Sequence, residues 1–506
     1  MLHERKAKKG GIMVGNSRRQ CMARALSMLI AATLAFVAYT GGAGAGGLYN
    51  RWSLGRSGQE LPAAAAATAA GVRAPTTLSH IVFGIGSSAR TWEKRRGYAE
   101  LWWRPGKMRG HVWLDEAPAT PWPAAKASPP YRVSADASRF KPHVSASRIA
   151  RIVADAFTEV TANGTAAPEV RWFVMGDDDT VFFPDNLVSV LRRYDHKEMY
   201  YVGAPSESVE QDVRYSYGTA YGGGGFAVSY PAAAELARAM DGCLGRYWRL
   251  YGSDERVHAC LAELGVPLTR EPGFHQMDVR GDAYGLLAAH PVAPLVSLHH
   301  LDALRPVLPG AGRTPLDAVR PLVGASRLDP ARTLQQSFCY HRGGAGFTWS
   351  VAVAWGYAVQ LYPWGAPPRE LETPLRTFRT WDKRTDGPFV FNTRAVREND
   401  ACARPLAFFL SDVRRNDTAG GGGGEGGGTV SEYARHVVTP EKQCDKPSFR
   451  AASAVETVRV VAPQMSPSEW QRAPRRHCCK VEKAAEESVL EVHIHRCGGG
   501  ELATPP

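Results

Sequence analysis

The chain is 506 residues long, with 44% hydrophobic, 9% aromatic and 22% charged residues. That composition excludes a wholly disordered protein and supports a sizeable buried core. The formal charge is +12, from 61 lysines and arginines against 49 acids, but residues 1–24 hold seven of the basic groups against the single Glu4, a surplus of six. Half of the charge therefore sits in the tail, the remainder is only mildly basic, and no nucleic-acid partner is expected.

Residues 1–24 read as a cytoplasmic tail, because lysine and arginine favour the cytoplasmic side of a span. A charge-free apolar run at 25–39, lengthened by small residues to 48, reads as a signal anchor that holds the protein to a membrane through one N-terminal helix. Two alternatives stay open: a cleavable signal peptide ending near Ala43-Gly44-Ala45, and a helix buried in a soluble protein. Either targeting reading delivers the body of the chain into the secretory lumen. Cysteine usage agrees with that compartment. Eight of the nine cysteines follow the apolar run, namely Cys243, Cys260, Cys339, Cys402, Cys444, Cys478, Cys479 and Cys497, an even number that permits complete pairing. Cys478 and Cys479 match no common zinc spacing and read as disulfide partners. Asn163-Gly164-Thr165 and Asn416-Asp417-Thr418 have the form of glycosylation acceptors.

Residues 49–77, rich in glycine and alanine, read as a flexible stem, and the glycine run at 420–428 as a flexible loop. The pattern changes at His80. An apolar strand at 80–85 ends in Gly86 and two serines, and a helix carrying Trp92, Tyr98, Leu101 and Trp102 follows. A strand is expected at 112–114. A helix is expected over 145–160, where Ile149, Ile152, Val153, Ala156, Phe157 and Val160 recur at helical spacing, and a strand at 172–175. Strands alternating with helices imply an α/β architecture with a mainly parallel sheet, whose ligands gather at the strand C-terminal ends. Beyond residue 302 the pieces at 349–355 and 388–391 look like strands. They suggest a β-rich accessory region over 303–506, whose tryptophans are either buried or free to stack on sugars.

Asp177, Asp178 and Asp179 follow the apolar stretch at 172–175, so three carboxylates are expected at the end of a buried strand. Like charges crowded there raise one another's pKa values unless a cation neutralises them, and a divalent metal shared with substrate phosphates would do so. The competing reading is an exposed acidic turn. Leu187, Val190, Leu191 and Tyr194, spaced as a helix after Pro184 and Asp185, favour an ordered site. Two chemistries fit. One is a nucleotide-sugar transferase in which the metal bridges a diphosphate. The other is a haloacid-dehalogenase-type phosphatase using Asp177 and Asp179, although that motif normally opens its domain. A catalytically silent carbohydrate-binding protein is a third class.

Six segments occur in a fixed order: HIVFGIGSSARTWEKRRGYAELWW, WFVMGDDDT, YVGAPSE, YGTAYGGGGFAVS, YGSDERVHACLAELGVPL and GFHQMD. Over residues 78–302 the chain resembles the Fringe-related enzymes of glycosyltransferase family 31, in particular their plant Fringe-like branch. The resemblance implies a GT-A type nucleotide-sugar-binding domain, a UDP-sugar donor, manganese, inversion at the anomeric carbon, a glycan or glycoprotein acceptor, a β-1,3 linkage, and a Golgi type II membrane protein with its catalytic part in the lumen. It implies Asp179 as direct metal ligand, with Asp177 and Asp178 near the ribose and the metal's water shell, and Ser87, Ser88 and Arg95 in a uridine-binding first loop. Gly223, Gly224 and Gly225 fall in the glycine-rich segment, where a backbone without side chains can approach a sugar and donate its N–H groups. Asp254 matches the catalytic base, with Glu255 as the adjacent alternative, against a plainer reading in which Ser253 caps a helix and the two acids complement its dipole. His275 is the candidate second metal ligand. The chain departs from the animal pattern at Met277, which leaves Asp278 and the His299-His300 pair open as alternatives.

Overall fold

The computed structural model describes residues 74–506 except 124–126, 163–168, 311, 343–345, 398, 417–426, 438–443, 484–485 and 487. The expected tail, anchor and most of the stem lie outside the described residues, as do Asn163-Gly164-Thr165, Asp417-Thr418 and most of the glycine run. Among the described residues no helix is long and apolar enough to cross a membrane.

The first apolar run becomes β1 (Ile81–Gly86), fully buried because its side chains feed cores on both faces of a sheet. Ile81, Phe83 and Ile85 join one core and Val82 the other, as the two-residue period of a strand requires. Ser88 caps the following helix, α1 (Ala89–Trp102), by accepting from the Thr91 N–H. The chain continues through β2 (Arg109–Leu114), β3 (Tyr131–Val133), α2 (Val144–Ala162) and β4 (Trp172–Asp177). β5 (Val181–Phe182) is short and leads into α3 (Pro184–Leu191), which opens on the expected proline. Then come β6 (Tyr201–Gly203), α4 (Val209–Tyr215), β7 (Phe226–Ser229), α5 (Tyr230–Arg246), α6 (Ser253–Glu263) and β8 (Leu268–Arg270).

Seven of these strands form one sheet in the order β3-β2-β1-β4-β7-β6-β8. It is mainly parallel, with β7 alone running against both of its neighbours. Trp92, Leu101 and Trp102 of α1 and Leu187, Val190 and Leu191 of α3 fill one core. On the other face Ile152 and Val153 of α2, Leu236 and Met240 of α5, and Val257 and Leu261 of α6 fill the second. The helical stripes expected from the sequence are the faces that pack.

Three more short strands, β9 (Phe274–His275), β10 (Val279–Gly281) and β11 (Ser297–Leu298), carry the chain back to the acidic strand end. β11 pairs antiparallel with β5, Leu298 opposite Val181, and parallel with β9. This small sheet decides which histidine meets the acids, because His299 directly follows β11.

The C-terminal region is β-rich, as expected. After the helix α7 (Pro315–Leu328) come β12 (Gln336–Arg342), β13 (Thr348–Ala354), β14 (Ala358–Tyr362), β15 (Phe378–Thr380), β16 (Leu406–Asn416), β17 (Gly428–His436), β18 (Thr457–Pro463), β19 (Cys478–Lys483) and β20 (Val489–His495). Eight of them form a sheet in the order β12-β13-β14-β16-β17-β18-β20-β19. Its edge strands are bonded through Cys339–Cys479, whose Cα atoms are 5.3 Å apart. The sheet therefore curls until its edge strands face each other, around Val351, Val353, Trp355, Phe408, Tyr433, Val460 and Val492. Of the tryptophans here, Trp355 and Trp470 are buried. The expected strand at 388–391 does not form; Phe389 makes one bridge to Ser208 and packs its ring into the core. All eight cysteines pair, as Cys243–Cys260, Cys339–Cys479, Cys402–Cys444 and Cys478–Cys497.

β15 leaves the curled sheet and pairs with β10. One core contains Ile81 and Trp172 together with Leu304, Val319, Tyr357, Phe378 and Phe389. One core thus runs across position 302, and Ala74–Pro506 form one compact unit. Because Cys339–Cys479 closes a stretch with a sequence separation of 140, the double variant Cys339→Ala/Cys479→Ala is expected to lose about 2–5 kcal/mol of stability. Denaturant unfolding followed by far-UV circular dichroism checks this, with an unchanged midpoint as the contrary result.

Candidate active site

The strand β4 delivers the three acids to its C-terminal end, and each takes a different environment. Asp178 is buried and faces the start of α1. It accepts from Ser87 Oγ at 2.7 Å and from Arg95 Nη1 at 3.1 Å. Three residues expected in a donor-binding loop are thus Ser87 and Arg95, which converge on the acids, and Ser88, which instead closes the N-terminus of α1. Arg95 also lies 3.3 Å from Asp179. A buried arginine that the sequence did not single out, Arg148 of α2, ties the same strand ends together by donating to the Ser87 and Trp113 carbonyls.

Asp177, Asp179 and His299 form a group whose ligand atoms all lie within 4.8 Å of one another. His299 Nε2 is 3.1 Å from Asp179 Oδ1 and 3.9 Å from Asp177 Oδ2. Burial would raise the Asp179 carboxyl, but the charge and hydrogen bond of His299, with Arg95 beyond, bring it down to about 2. Burial likewise works against a charged His299, and the two carboxylates outweigh it and lift the imidazole to about 9. Burial, joined by the charges of Asp179, Asp178 and Asp254, pushes Asp177 up to about 7 against the pull of His299. Two carboxylates and one imidazole, with ligand atoms gathered within 4.8 Å, suit a divalent ion of manganese type. The residues present fit such an ion.

The glycine segment explains how His299 reaches the acids. A Cβ on Gly223 would lie 2.0 Å from His299 Cε1, so any side chain there would expel the ring. Gly225 has φ +83°, a left-handed conformation that glycine alone adopts freely. The N–H groups expected to face a sugar are engaged within the protein: Gly222 donates to Asp254 Oδ2 at 3.1 Å, Gly224 to Gln276 Oε1 at 2.6 Å and Gly225 to the Gly222 carbonyl at 3.0 Å. Thr180, which follows the triplet, locks the two loops together. Its hydroxyl accepts the Asp177 N–H at 2.8 Å and donates to the Gly223 carbonyl at 2.7 Å.

Asp254 lies in the first turn of α6, where Gly252 rather than Ser253 is the N-cap. Glu255 turns back to the Gly252 N–H and so closes the helix end, while Asp254 faces Gly222 and the cleft. A cleft is lined by Asp254, Asp177, Gly222, Met175 and Phe226. Burial pushes the Asp254 carboxyl up, although backbone N–H groups of Gly222 and Glu255 oppose the shift. The disulfide Cys243–Cys260 staples α6 to α5 one and a half turns beyond this acid and fixes the helix that presents it.

His275, the sequence's first choice of histidine ligand, goes elsewhere. Its Nδ1 lies 3.2 Å from Glu207 Oε1, and its ring meets His290 with centroids 5.0 Å apart. Of the alternatives left open, Asp278 accepts from Ser206 Oγ and lies 3.2 Å from His300 Nδ1, and His299 is the residue brought to the acids. The structure brings His299 and not His275 to the acids because β9 and β11 run side by side, His275 in register with Leu298, one residue short of His299.

A Fringe-like family model matches residues 134–283, a span that includes the acidic strand, the glycine segment, Asp254 and His275. A second model, DUF604, a protein family of unknown function, matches residues 211–479 and so runs from the glycine segment through most of the curled sheet. No curated protein matches the chain. The two models overlap on residues 211–283, and the second by itself runs through both halves, as the shared core does. An acidic strand end, a glycine loop that admits an imidazole and an acid in a common cleft are thus accompanied by the family's own sequence signature, and the chain belongs to the Fringe-related glycosyltransferases of family 31.

Proposed function

We propose that the protein is a manganese-dependent, inverting glycosyltransferase with a GT-A type domain, which moves a hexose or N-acetylhexosamine from a UDP-sugar to a hydroxyl of a glycan or glycoprotein in β-1,3 linkage. We place it in the Golgi membrane as a single-pass type II protein, anchored by residues 25–48 with residues 78–506 in the lumen. Four intramolecular disulfides support an oxidising compartment. The observation that carries the enzymatic reading is that the Asp177, Asp179 and His299 group borders the cleft lined by Asp254. Family membership leaves the phosphatase and silent-lectin readings without support.

Asp179, Asp177 and His299 would hold the ion, His299 replacing His275 in that role. Bound there, a divalent cation supplies charge neutralisation for a departing diphosphate. Ser87, Arg95 and Asp178 form the wall on the α1 side, where a hydroxyl, a guanidinium and a carboxylate can orient a nucleoside. Asp254 takes the proton from the acceptor hydroxyl as that oxygen attacks the anomeric carbon. Each of its oxygens accepts one backbone N–H, which aims the carboxylate and leaves a lone pair for the incoming proton.

Asp254→Asn is expected to keep Mn2+-dependent UDP binding while turnover falls about 100-fold or more. Asp179→Asn is expected to lose UDP binding itself. UDP release from a panel of UDP-sugars, read beside UDP calorimetry, separates the two, and equal UDP binding by wild type and Asp179→Asn would sink the metal assignment. The pH dependence follows from the two raised groups. His299 gains a proton as pH falls through about 9 and Asp177 as it falls through about 7. Each protonation removes a ligand, so Mn2+ affinity should weaken from pH 9 to pH 6, and Mn2+ binding near pH 8 should release protons into a weak buffer. A flat affinity profile over that range contradicts this ligand set.

A further inference from the structure

The curled C-terminal sheet sends one loop back to the acids. Residues 380–387 leave β15, which is paired to β10, and the loop closes on itself through Thr380 Oγ1, which donates to the Thr385 carbonyl at 3.2 Å and accepts the Gly387 N–H at 3.1 Å. The α/β half grips it from both sides. Arg280 donates to the carbonyls of Thr380, Trp381 and Asp382, and Glu210 accepts the Asp382 N–H at 2.6 Å and the Thr385 hydroxyl at 3.3 Å. Beyond the loop, Val390 donates to the Glu207 carbonyl.

This grip fixes the indole of Trp381. Its ring lies flat on His300, with centroids 4.3 Å apart and planes 9° apart, and His300 in turn lies on His299 at 3.8 Å. Three rings thus run from the C-terminal region to the imidazole that contacts Asp179. His300 needs such support. Its φ is +51°, a left-handed conformation that a non-glycine residue keeps only where its surroundings hold it. Around it stand Trp381 and His299 on the ring faces, Asp278 at the ring edge, 3.2 Å from Nδ1, and the Ala303 N–H, which its carbonyl accepts.

We propose that Trp381 is a positioning residue for the metal site: by clamping His300 in its left-handed conformation it sets the orientation of the His299 ring toward Asp177 and Asp179. The inference rests on the reading of those three residues as metal ligands. On it, the C-terminal region is part of the active site, and a chain ending at residue 302 lacks a component that metal affinity depends on. The exposed tip of the loop, Lys383 and Arg384, has no part in this role.

Mn2+ titration of the full-length protein with UDP present, followed by electron paramagnetic resonance, tests the inference. Trp381→Ala is expected to weaken Mn2+ binding about tenfold, the scale of lost support behind a metal ligand. Trp381→Phe, which keeps a flat ring on His300, should restore affinity to within about threefold of wild type. In a His299→Ala background, Trp381→Ala should add no further loss, whereas general damage to the fold would add in both backgrounds. Unchanged Mn2+ affinity in Trp381→Ala overturns the positioning role while leaving the metal reading intact. The role is likewise overturned if Trp381→Phe binds as weakly as Trp381→Ala, or if the losses add in the double variant. Failure of the wild-type protein to bind Mn2+ with UDP removes both readings together.

Discussion

Asp179 and His299 face each other at 3.1 Å with almost no solvent contact on either side chain. Taking two charges out of water costs several kcal/mol per ion, and their mutual attraction seldom repays more than that, so such a pair is poor evidence of stabilisation. Its persistence demands that neighbouring elements be built around it. Gly223 gives up a side chain so that the imidazole can approach, Thr180 ties the acidic turn to the glycine loop, and Arg95 meets the charge of Asp178 and Asp179 from α1. A buried cluster with this much surrounding commitment and strongly shifted protonation is the pattern of a functional site.

The α/β half and the curled sheet are coupled through that same place. One core spans both, β15 pairs with β10, and Phe389 fills a gap beside Phe378. The disulfides divide the labour. Three lie within the C-terminal region, where Cys339–Cys479 joins the edge strands of the sheet, while Cys243–Cys260 secures the helix that carries Asp254. The DUF604 pattern runs across the junction in the same way, from residue 211 to residue 479. An accessory module that merely hung from an enzyme would need neither a common core nor a strand shared with the catalytic half.

Much of the site was legible locally. Strand period places the triplet at a strand end, whereas the glycine segment and the acid in the first turn of α6 stand out through the resemblance to the Fringe-related enzymes. Glu255 and Ser88 show where local reading runs out. Both are polar groups next to a site, and the sequence offered no way to tell a capping role from a chemical one, because the difference lies in which backbone N–H each oxygen meets. Thr180 carried a readable signal, a hydroxyl one residue past the acids, and its function as a clasp between loops became visible only with Gly223 beside it.

By itself the sequence determined the first strands and helices of the α/β half, the strand end that holds the acids, the β-rich character of the C-terminal region and the even count of cysteines available to pair. The tertiary structure decided everything that depends on two distant segments meeting: His299 rather than His275 beside Asp179, Cys478 and Cys479 bonded to different partners, and Trp381 stacked over His300 from a loop some eighty residues away. The reason is physical. Periodicity and capping are written in neighbouring residues, whereas the pairing of β11 with β5 and of β15 with β10 is selected by the total burial of a shared core, a sum over the whole chain that no single window contains.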